Sequence, residues 1–166
     1  MEAILTRRSI RKFEAQPVPA ETINELLQAA MCAPSASDER PWHFVLIDDR
    51  NIFAQIHKFH PFAQALKTAL CAILVCGDER LEKNKGFWVQ DCAAAVENIL
   101  IAAQAKKLGA TWLGVYPLSE RIEPMRKLLH IPNHVHPFAL IPVGFPAEQK
   151  PPVNRFESTR VHFNKW

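Results

Sequence analysis

Apolar residues recur at helical spacing within residues 21–33, and one face carries Ile23, Leu26, Leu27, Ala30 and Met31. Pro19 and Pro34 bracket this segment, so we expect a helix between them. Residues 87–108 contain neither proline nor glycine and are rich in alanine, which predicts the longest helix, with Gly109 as its C-cap. The apolar positions of this helix cover more than one narrow stripe, so we expect it to pack against more than one partner.

Two further segments predict shorter helices. Residues 52–67 are typical of two short helical pieces separated at Pro61. Residues 119–130 predict another helix, with Ser119 as its N-cap. Pro124 is an irregularity within it, although a position near the start of a helix tolerates proline better than the interior does.

Four segments have the short apolar runs typical of β-strands. Residues 42–47 follow a polar loop bounded by prolines. Residues 69–77 are apolar on both faces, as in a buried central strand. Residues 110–117 predict a strand closed by proline, and residues 137–146 predict a last core strand in which Pro142 implies an edge position or a bulge.

The composition indicates a single globular domain over residues 1–166. With 48% hydrophobic and 22% charged residues, a chain of this length can bury a core without disulfides or metals. The N-terminal residues lack the apolar core of a signal peptide, and no stretch approaches the roughly 18 apolar residues of a membrane span. All four cysteines lie in apolar stretches and predict buried free thiols in a reducing, cytoplasmic compartment: Cys32, Cys71, Cys76 and Cys92.

Charge and metal-ligand patterns exclude several classes of function. The net charge of +3 is modest, and a nucleic-acid-binding module would need a basic stripe that the chain lacks beyond residue 12. No glycine-rich dinucleotide or Walker motif is present. Glu97, on the long predicted helix, is expected to be buried and paired with an arginine or a backbone group. No metal site is expected, because these histidines lack a helical pair with an acidic partner: His57, His60, His130, His134 and His136.

Residues 7–13, RRSIRKF, could bind a phosphate. Arg7, Arg8 and Arg11 surround Ser9, and guanidinium groups match phosphate oxygens with paired hydrogen bonds. Arg7 and Arg11 would share one face if the segment were helical. From this cluster alone, a solvated basic terminus is an equally good interpretation.

Two other segments could contact a planar ligand. The loop PSASDERPW, residues 34–42, offers hydroxyl groups and free backbone amides to a heteroaromatic ring. In TWLGVYP, residues 111–117, the glycine lets the backbone approach a flat ligand closely. Taken singly, each segment is better explained as an ordinary helix-to-strand connection or strand end.

Together, the segments RRSIRKF, PSASDERPW, QDCAAAVENILIAAQAKKLGATWLGVYP and PVGFP resemble, in order and spacing, the nitroreductase family of FMN enzymes. The resemblance covers nearly the whole chain, and the tail KPPVNRFESTRVHFNKW is similar to that of a small subgroup. It implies an α+β nitroreductase-like fold, with a central, mainly antiparallel sheet flanked by helices. It also implies an intertwined homodimer with two FMN sites at the interface, in which residues 147–166 dock on the partner subunit.

The resemblance also implies roles for individual residues. The FMN phosphate and ribityl chain would be held by Arg7, Arg8, Ser9 and Arg11, together with Arg155 from the tail. The other subunit would line the ring with Pro34, Ser35, Ala36, Ser37 and Asp38. The flavin N5 and O4 edge would face the backbone amides of Leu113 and Gly114.

Two departures from the family pattern affect this expectation. Asp38 and Arg40 stand where the family usually has asparagine and glutamine, and they could pair with each other rather than touch FMN. Larger family members read the flavin's pyrimidine edge with an asparagine and a lysine before the buried strand, whereas this chain has FHPFAQAL, residues 59–66.

The implied activity is hydride transfer from NADH or NADPH through flavin N5 to a nitroaromatic, quinone or related organic acceptor, with ping-pong kinetics. The flavin carries out the chemistry, so no catalytic acid or base is expected from a side chain. The alternative is a protein that stores FMN or senses redox state without turnover.

Overall fold

The computed structural model describes all residues from Met1 to Trp166. The helices are α1 (Glu2–Thr6), α2 (Ala20–Met31), α3 (Arg50–Phe59), α4 (Trp88–Ala105) and α5 (Ser119–Leu128). The strands are β1 (Trp42–Ile47), β2 (Cys71–Asp78), β3 (Gly109–Ala110), β4 (Leu113–Gly114) and β5 (Val135–Gly144). Short 3-10 helices include Ala36–Asp38 and Ala63–Lys67. None of the helices has the length and apolar character needed to cross a membrane.

The five strands form one sheet in the order β1-β2-β5-β3, with β4 also paired to β5, and every strand pair is antiparallel. β2 is buried along its whole length and lies between β1 and β5, which confirms the predicted central strand. The predicted strand over residues 110–117 is wrong as one element. It is divided into β3 and β4, which pair with different parts of β5.

β5 lies inside the sheet, so the edge position inferred from Pro142 is wrong. A bulge does occur in β5, but it falls at Phe138, where Val75 and Cys76 of β2 pair with Ala139 and Pro137. Pro142 pairs with β2 on one side, and on the other side β3 and β4 are interrupted between Ala110 and Leu113. Proline has no backbone N–H to donate to a neighbouring strand. Because no strand residue lies opposite Pro142 on that side, no carbonyl group there is left without a donor.

The sheet has helices on both faces because successive side chains of a strand point to opposite sides. Ile73 and Val75 of β2 face a cluster formed with α2 and α4. Leu74 and Cys76 face a second cluster formed with α3 and α5. Burying these two apolar clusters is the main source of stability, and the sheet between them fixes the ends of β3 and β4.

α4 packs against α1, α2 and the sheet, which confirms the expectation of more than one partner. Its predicted cap at Gly109 is wrong. The helix ends at Ala105, and Lys107 adopts φ +60° while the Leu108 N–H donates to the Ala103 carbonyl at 2.8 Å. This hydrogen-bond pattern is that of a Schellman motif, here with lysine in the left-handed position that glycine usually takes.

Gly109 instead allows a close crossing of the N-terminal segment. Ile10 and Phe13 are buried, and the Ile10 N–H donates to the Ala110 carbonyl at 3.0 Å. A Cβ at Gly109 would lie 2.6 Å from Ile10 Cγ2, and one at Gly144 would lie 3.0 Å from Phe13. The two glycines thus hold the segment that carries the arginine cluster against the sheet.

Two smaller expectations also fail. Ser119 is the first residue of α5 rather than its N-cap, which is Leu118, and no side chain caps the helix. Cys71, Cys76 and Cys92 are buried free thiols as expected, whereas Cys32 is exposed. Cys32 follows the last residue of α2, where the chain turns towards the surface.

Candidate functional site

Arginines from both ends of the chain line one pocket. Arg7 and Arg8 follow α1, and Arg155 belongs to the tail; together they border a cavity of about 580 Å³. The other lining residues are Ile4, Leu5, Pro152, Val153, Asn154 and Phe156. The apolar side chains of this lining are themselves exposed, so the guanidinium groups are open to an anion from solvent.

Each N-terminal arginine of the pocket also has a partner within the chain. Arg7 Nε lies 3.3 Å from Glu97 Oε1 on α4. This confirms the expected pairing of Glu97, although its side chain is 43% exposed rather than buried. Arg8 Nη1 donates to the carbonyl of Pro151, which attaches the tail to the N-terminal segment.

Ser9 and Arg11 do not line this pocket. The segment is extended after α1, with Ser9 in a bridge to Ala110, so Arg7 and Arg11 do not share a helical face. The Ser9 carbonyl accepts from Lys150 Nζ at 2.7 Å, and the Arg11 N–H donates to Glu148 Oε1 at 2.6 Å. Lys150 and Glu148, which sequence reasoning did not select, hold the start of the tail there.

The loop after α2 has an unusual backbone. Ser37, Asp38 and Arg40 all have positive φ values, of 50°, 53° and 46°. Arg40 Nε and Nη2 each lie 2.6 Å from an oxygen of Asp38, which confirms the expected pair, and the hydrogen bond lowers the pKa of Asp38. Left-handed backbone at non-glycine residues is costly, so surrounding contacts must hold it.

Those contacts come from within the same chain. Ser35 Oγ accepts from the Arg40 N–H at 3.1 Å, and Ser37 Oγ accepts from Asn84 Nδ2 at 2.8 Å. Lys83 Nζ donates to the Ser37 carbonyl at 2.8 Å. The loop is therefore preorganised by its own chain and lies against residues 83–84.

A buried pair of carboxyl groups lies beneath the loop. Asp91 Oδ1 accepts from the Ala36 N–H at 3.0 Å, and Glu39 Oε2 accepts from the Lys83 N–H at 2.8 Å. Burial raises the pKa of Asp91, and the neighbouring Glu39 raises it further. Burial also pushes the pKa of Glu39 up, but backbone hydrogen bonds lower it overall. Of the two carboxyl groups, Asp91 is thus the one that is protonated more readily, and Glu39 is the one that ionises first.

Leu113 and Gly114 form β4, opposite Leu140 and Ala139. Leu113 is buried, whereas a Cβ at Gly114 would meet no other atom within 4 Å. The Gly114 carbonyl accepts from His60 Nε2 at 3.0 Å and from Arg121 Nη1 at 2.8 Å. The strand end therefore borders open space on one side and is held from the other.

Within one chain, the arginine pocket is separate from the other two groups of predicted site residues. The arginine pocket is lined by no residue of the 34–38 loop and by neither Leu113 nor Gly114. The tail does not fold onto its own core: residues 151–166 are all exposed, including Phe156, Phe163 and Trp166. No group of three or more histidine, cysteine or carboxylate side chains is arranged to hold a metal ion.

Comparisons of the sequence and of the fold with known proteins agree with one another. A model of the Nitroreductase family matches residues 4–72 and 61–145. The chain is 52% identical over 166 residues to a Methanothermobacter thermautotrophicus protein provisionally named NADH dehydrogenase/NAD(P)H nitroreductase, covering 100% of this chain and 87% of that protein. A Parabacteroides distasonis crystal structure with the same provisional name has a TM-score of 0.95 at 43% identity, covering 99% and 97% of the two chains.

A third match carries a cofactor in its name. The structure of an FMN-dependent nitroreductase from Clostridium difficile has a TM-score of 0.92 at 28% identity and covers 100% of both chains. These similarities, together with the antiparallel sheet between two helical layers, confirm the predicted fold. The chain belongs to the nitroreductase family.

Proposed function

We propose that this chain is an FMN-dependent oxidoreductase that uses NADH or NADPH to reduce a nitroaromatic, quinone or related organic acceptor. The observation that carries this proposal is the pocket lined by Arg7, Arg8 and Arg155. Two adjacent arginines near the start of the chain and one from the tail line this pocket, and guanidinium groups match the charge and geometry of phosphate oxygens. The oxidoreductase class and the FMN cofactor agree with the relatives' names.

The remaining FMN contacts are proposed for three other places. Leu113 and Gly114 would place backbone amides at the N5 and O4 edge, where the open space beside Gly114 leaves room for a ring. Ser9 and Arg11 would complete the phosphate and ribityl contacts. The ring would also be lined by residues of the partner subunit's loop: Pro34, Ser35, Ala36, Ser37 and Asp38. The preorganised backbone of this loop supports that role.

A homodimer is proposed because one chain leaves these groups apart. The tail, residues 147–166, would dock on the second copy. The exposed aromatic side chains of the tail would be buried there. Residues 1–166 would form a single domain. Location in the cytoplasm remains a prediction, and the buried free thiols at Cys71, Cys76 and Cys92 support it.

Bound FMN would supply the redox chemistry, taking a hydride from NADH or NADPH and passing it to the acceptor in a ping-pong sequence. The chain's own residues would bind and orient the cofactor. The arginines would hold the phosphate, and the Gly114 backbone would approach the ring edge. No side chain is assigned as a catalytic acid or base.

Anaerobic stopped-flow absorbance tests this function. The FMN-loaded protein is mixed with NADH or NADPH, and we expect rapid bleaching of the flavin band, followed by its recovery when a quinone is added. If the band does not bleach although FMN is bound, the protein stores FMN or senses redox state without turnover, and the enzymatic proposal is wrong.

A further inference from the structure

Two side chains hold the carbonyl group of Gly114 in place. His60 Nε2 lies 3.0 Å from this oxygen, and Arg121 Nη1 lies 2.8 Å from it. Because a carbonyl oxygen only accepts, His60 must carry its proton on Nε2. The next N–H in the same peptide plane, that of Val115, donates to the Phe138 carbonyl at 3.1 Å. The peptide between residues 114 and 115 is therefore fixed at both ends.

Packing alone does not explain a histidine at position 60. The residue is fully buried, and its Nδ1 has no hydrogen-bond partner. An unpaired buried nitrogen is unfavourable, and an apolar side chain of similar size would avoid that penalty. Burial lowers the pKa of His60, and the nearby Arg121 cation lowers it further. His60 is thus neutral at pH 7 and contributes a hydrogen bond, whereas Arg121 contributes a hydrogen bond and a charge.

The fixed peptide borders a surface rather than the core. A Cβ at Gly114 would meet no atom within 4 Å. The guanidinium carbon of Arg121 lies 5.4 Å from the centre of the Phe62 ring, and the Phe62 side chain is 66% exposed. A buried polar side chain therefore orients a stretch of backbone that faces open space. This arrangement is expected where backbone groups bind a ligand.

We infer that His60 and Arg121 are positioning residues that hold the Leu113–Gly114 backbone in the orientation needed by the FMN ring. This inference rests on the proposed function, which assigns the ring edge to that backbone. Neither side chain is assigned a contact with FMN or substrate. Arg121 additionally places a positive charge behind the Gly114 carbonyl, which favours the electron-rich state of a ligand at this edge.

The test compares matched substitutions at both positions. His60→Leu removes the donor, whereas His60→Gln retains an Nε2–H at similar reach. Arg121→Met removes the charge and Arg121→Lys keeps it. FMN dissociation constants are measured by quenching of flavin fluorescence, and the midpoint potential of bound FMN is measured by spectroelectrochemistry. Thermal unfolding of each variant is recorded in parallel.

For His60→Leu and Arg121→Met we expect FMN binding about tenfold weaker, the effect of one lost hydrogen bond, with His60→Gln close to the wild type. Arg121→Met should also shift the midpoint potential to a more negative value, and Arg121→Lys should shift it less. If the His60→Leu variant does not fold, the partly exposed Arg121 variants decide the question.

Two results would be decisive against the inference. If the variants lose only thermal stability, with affinity and potential unchanged, His60 and Arg121 are structural residues and the inference is overturned while the proposed function stands. If the wild-type chain itself binds no FMN, the proposed function fails, and the positioning role fails with it.

Discussion

At Gly114, the absence of a side chain, rather than the chemistry of one, would determine FMN binding. A methyl group there would contact no other part of the chain, so Gly114→Ala should leave thermal stability unchanged. If the flavin edge lies against this backbone, the same methyl group would collide with it, and FMN affinity should fall about tenfold or more. Calorimetry and fluorescence titration measure the two effects separately. Unchanged FMN affinity would show that the flavin ring does not lie against Gly114.

Asp91 and Glu39 make the loop sensitive to pH. Asp91→Asn removes the titrating group and can still accept from the Ala36 N–H, whereas Asp91→Ala leaves that N–H without its partner and should cost about 1–3 kcal/mol of unfolding free energy. Because the folded pKa of Asp91 is raised, its contribution to stability is complete below about pH 4 and is lost as pH rises through the folded pKa.

Urea unfolding at pH values from roughly 4 to 8, spaced about one unit apart, would measure this effect. The wild type should lose part of its stability towards higher pH, and Asp91→Asn should show a smaller loss. Equal losses in the wild type and in Asp91→Asn would show that the pKa of Asp91 is not raised in the folded protein.

The site residues that could be predicted from the sequence are those that form a recognisable motif within a short segment. The arginines at positions 7 and 8 stand out because they are adjacent, and Arg155 entered only through the family resemblance. Asp91 and Arg121 were not selected, and His60 was considered only as a metal ligand. Their roles depend on contacts with segments far away in sequence, such as Ala36 with Asp91, which hydrophobic periodicity does not encode.

At the scale of elements, the crossing of the N-terminal segment over β3 depends on close packing. Gly109→Ala would place Cβ 2.6 Å from Ile10 Cγ2, and Ile10 is β-branched and cannot move away easily. We expect a loss of about 1–3 kcal/mol in unfolding free energy. In an Ile10→Gly background, which also removes the Ile10 Cβ that would lie 2.8 Å away, the same substitution should cost much less, and chemical denaturation of the four proteins in this double-mutant cycle measures the coupling. Additive losses would show that the crossing is not tight.

Elements with strong periodicity were predicted well, and their ends were not. α2, α4 and β2 follow from patterns within their own sequences. The division of residues 110–117 into β3 and β4 is set by pairing with β5, and the central position of β5 despite Pro142 is set by that same interruption. Both depend on neighbouring strands, so local propensity could not reveal them.

At the scale of the whole molecule, the exposed tail is the best evidence for a second copy. Phe163 is 86% exposed, and Trp166 is fully exposed and stacks on His162 of its own segment. Sedimentation equilibrium should therefore give twice the mass of one chain. The double variant Phe163→Ser and Trp166→Ser should dissociate more readily, because it loses apolar area buried in the dimer.

Leu46→Ser is the matched control for the tail variant, since it also removes an exposed apolar side chain but lies on the edge strand β1. It should leave the association unchanged. A wild-type chain that sediments as a monomer at micromolar concentration, with FMN bound, would contradict the shared site and the crossing of the tail.

The central claim is that arginines from both ends of the chain hold the phosphate of FMN. The most direct measurement is a pair of fluorescence titrations of the purified protein, one with FMN and one with riboflavin, which lacks the phosphate. We predict that FMN binds at least about tenfold more tightly, that Arg8→Ala removes most of this preference, and that Lys58→Ala, on α3, retains it. Equal affinity for the two flavins, or no binding of either, would contradict the account.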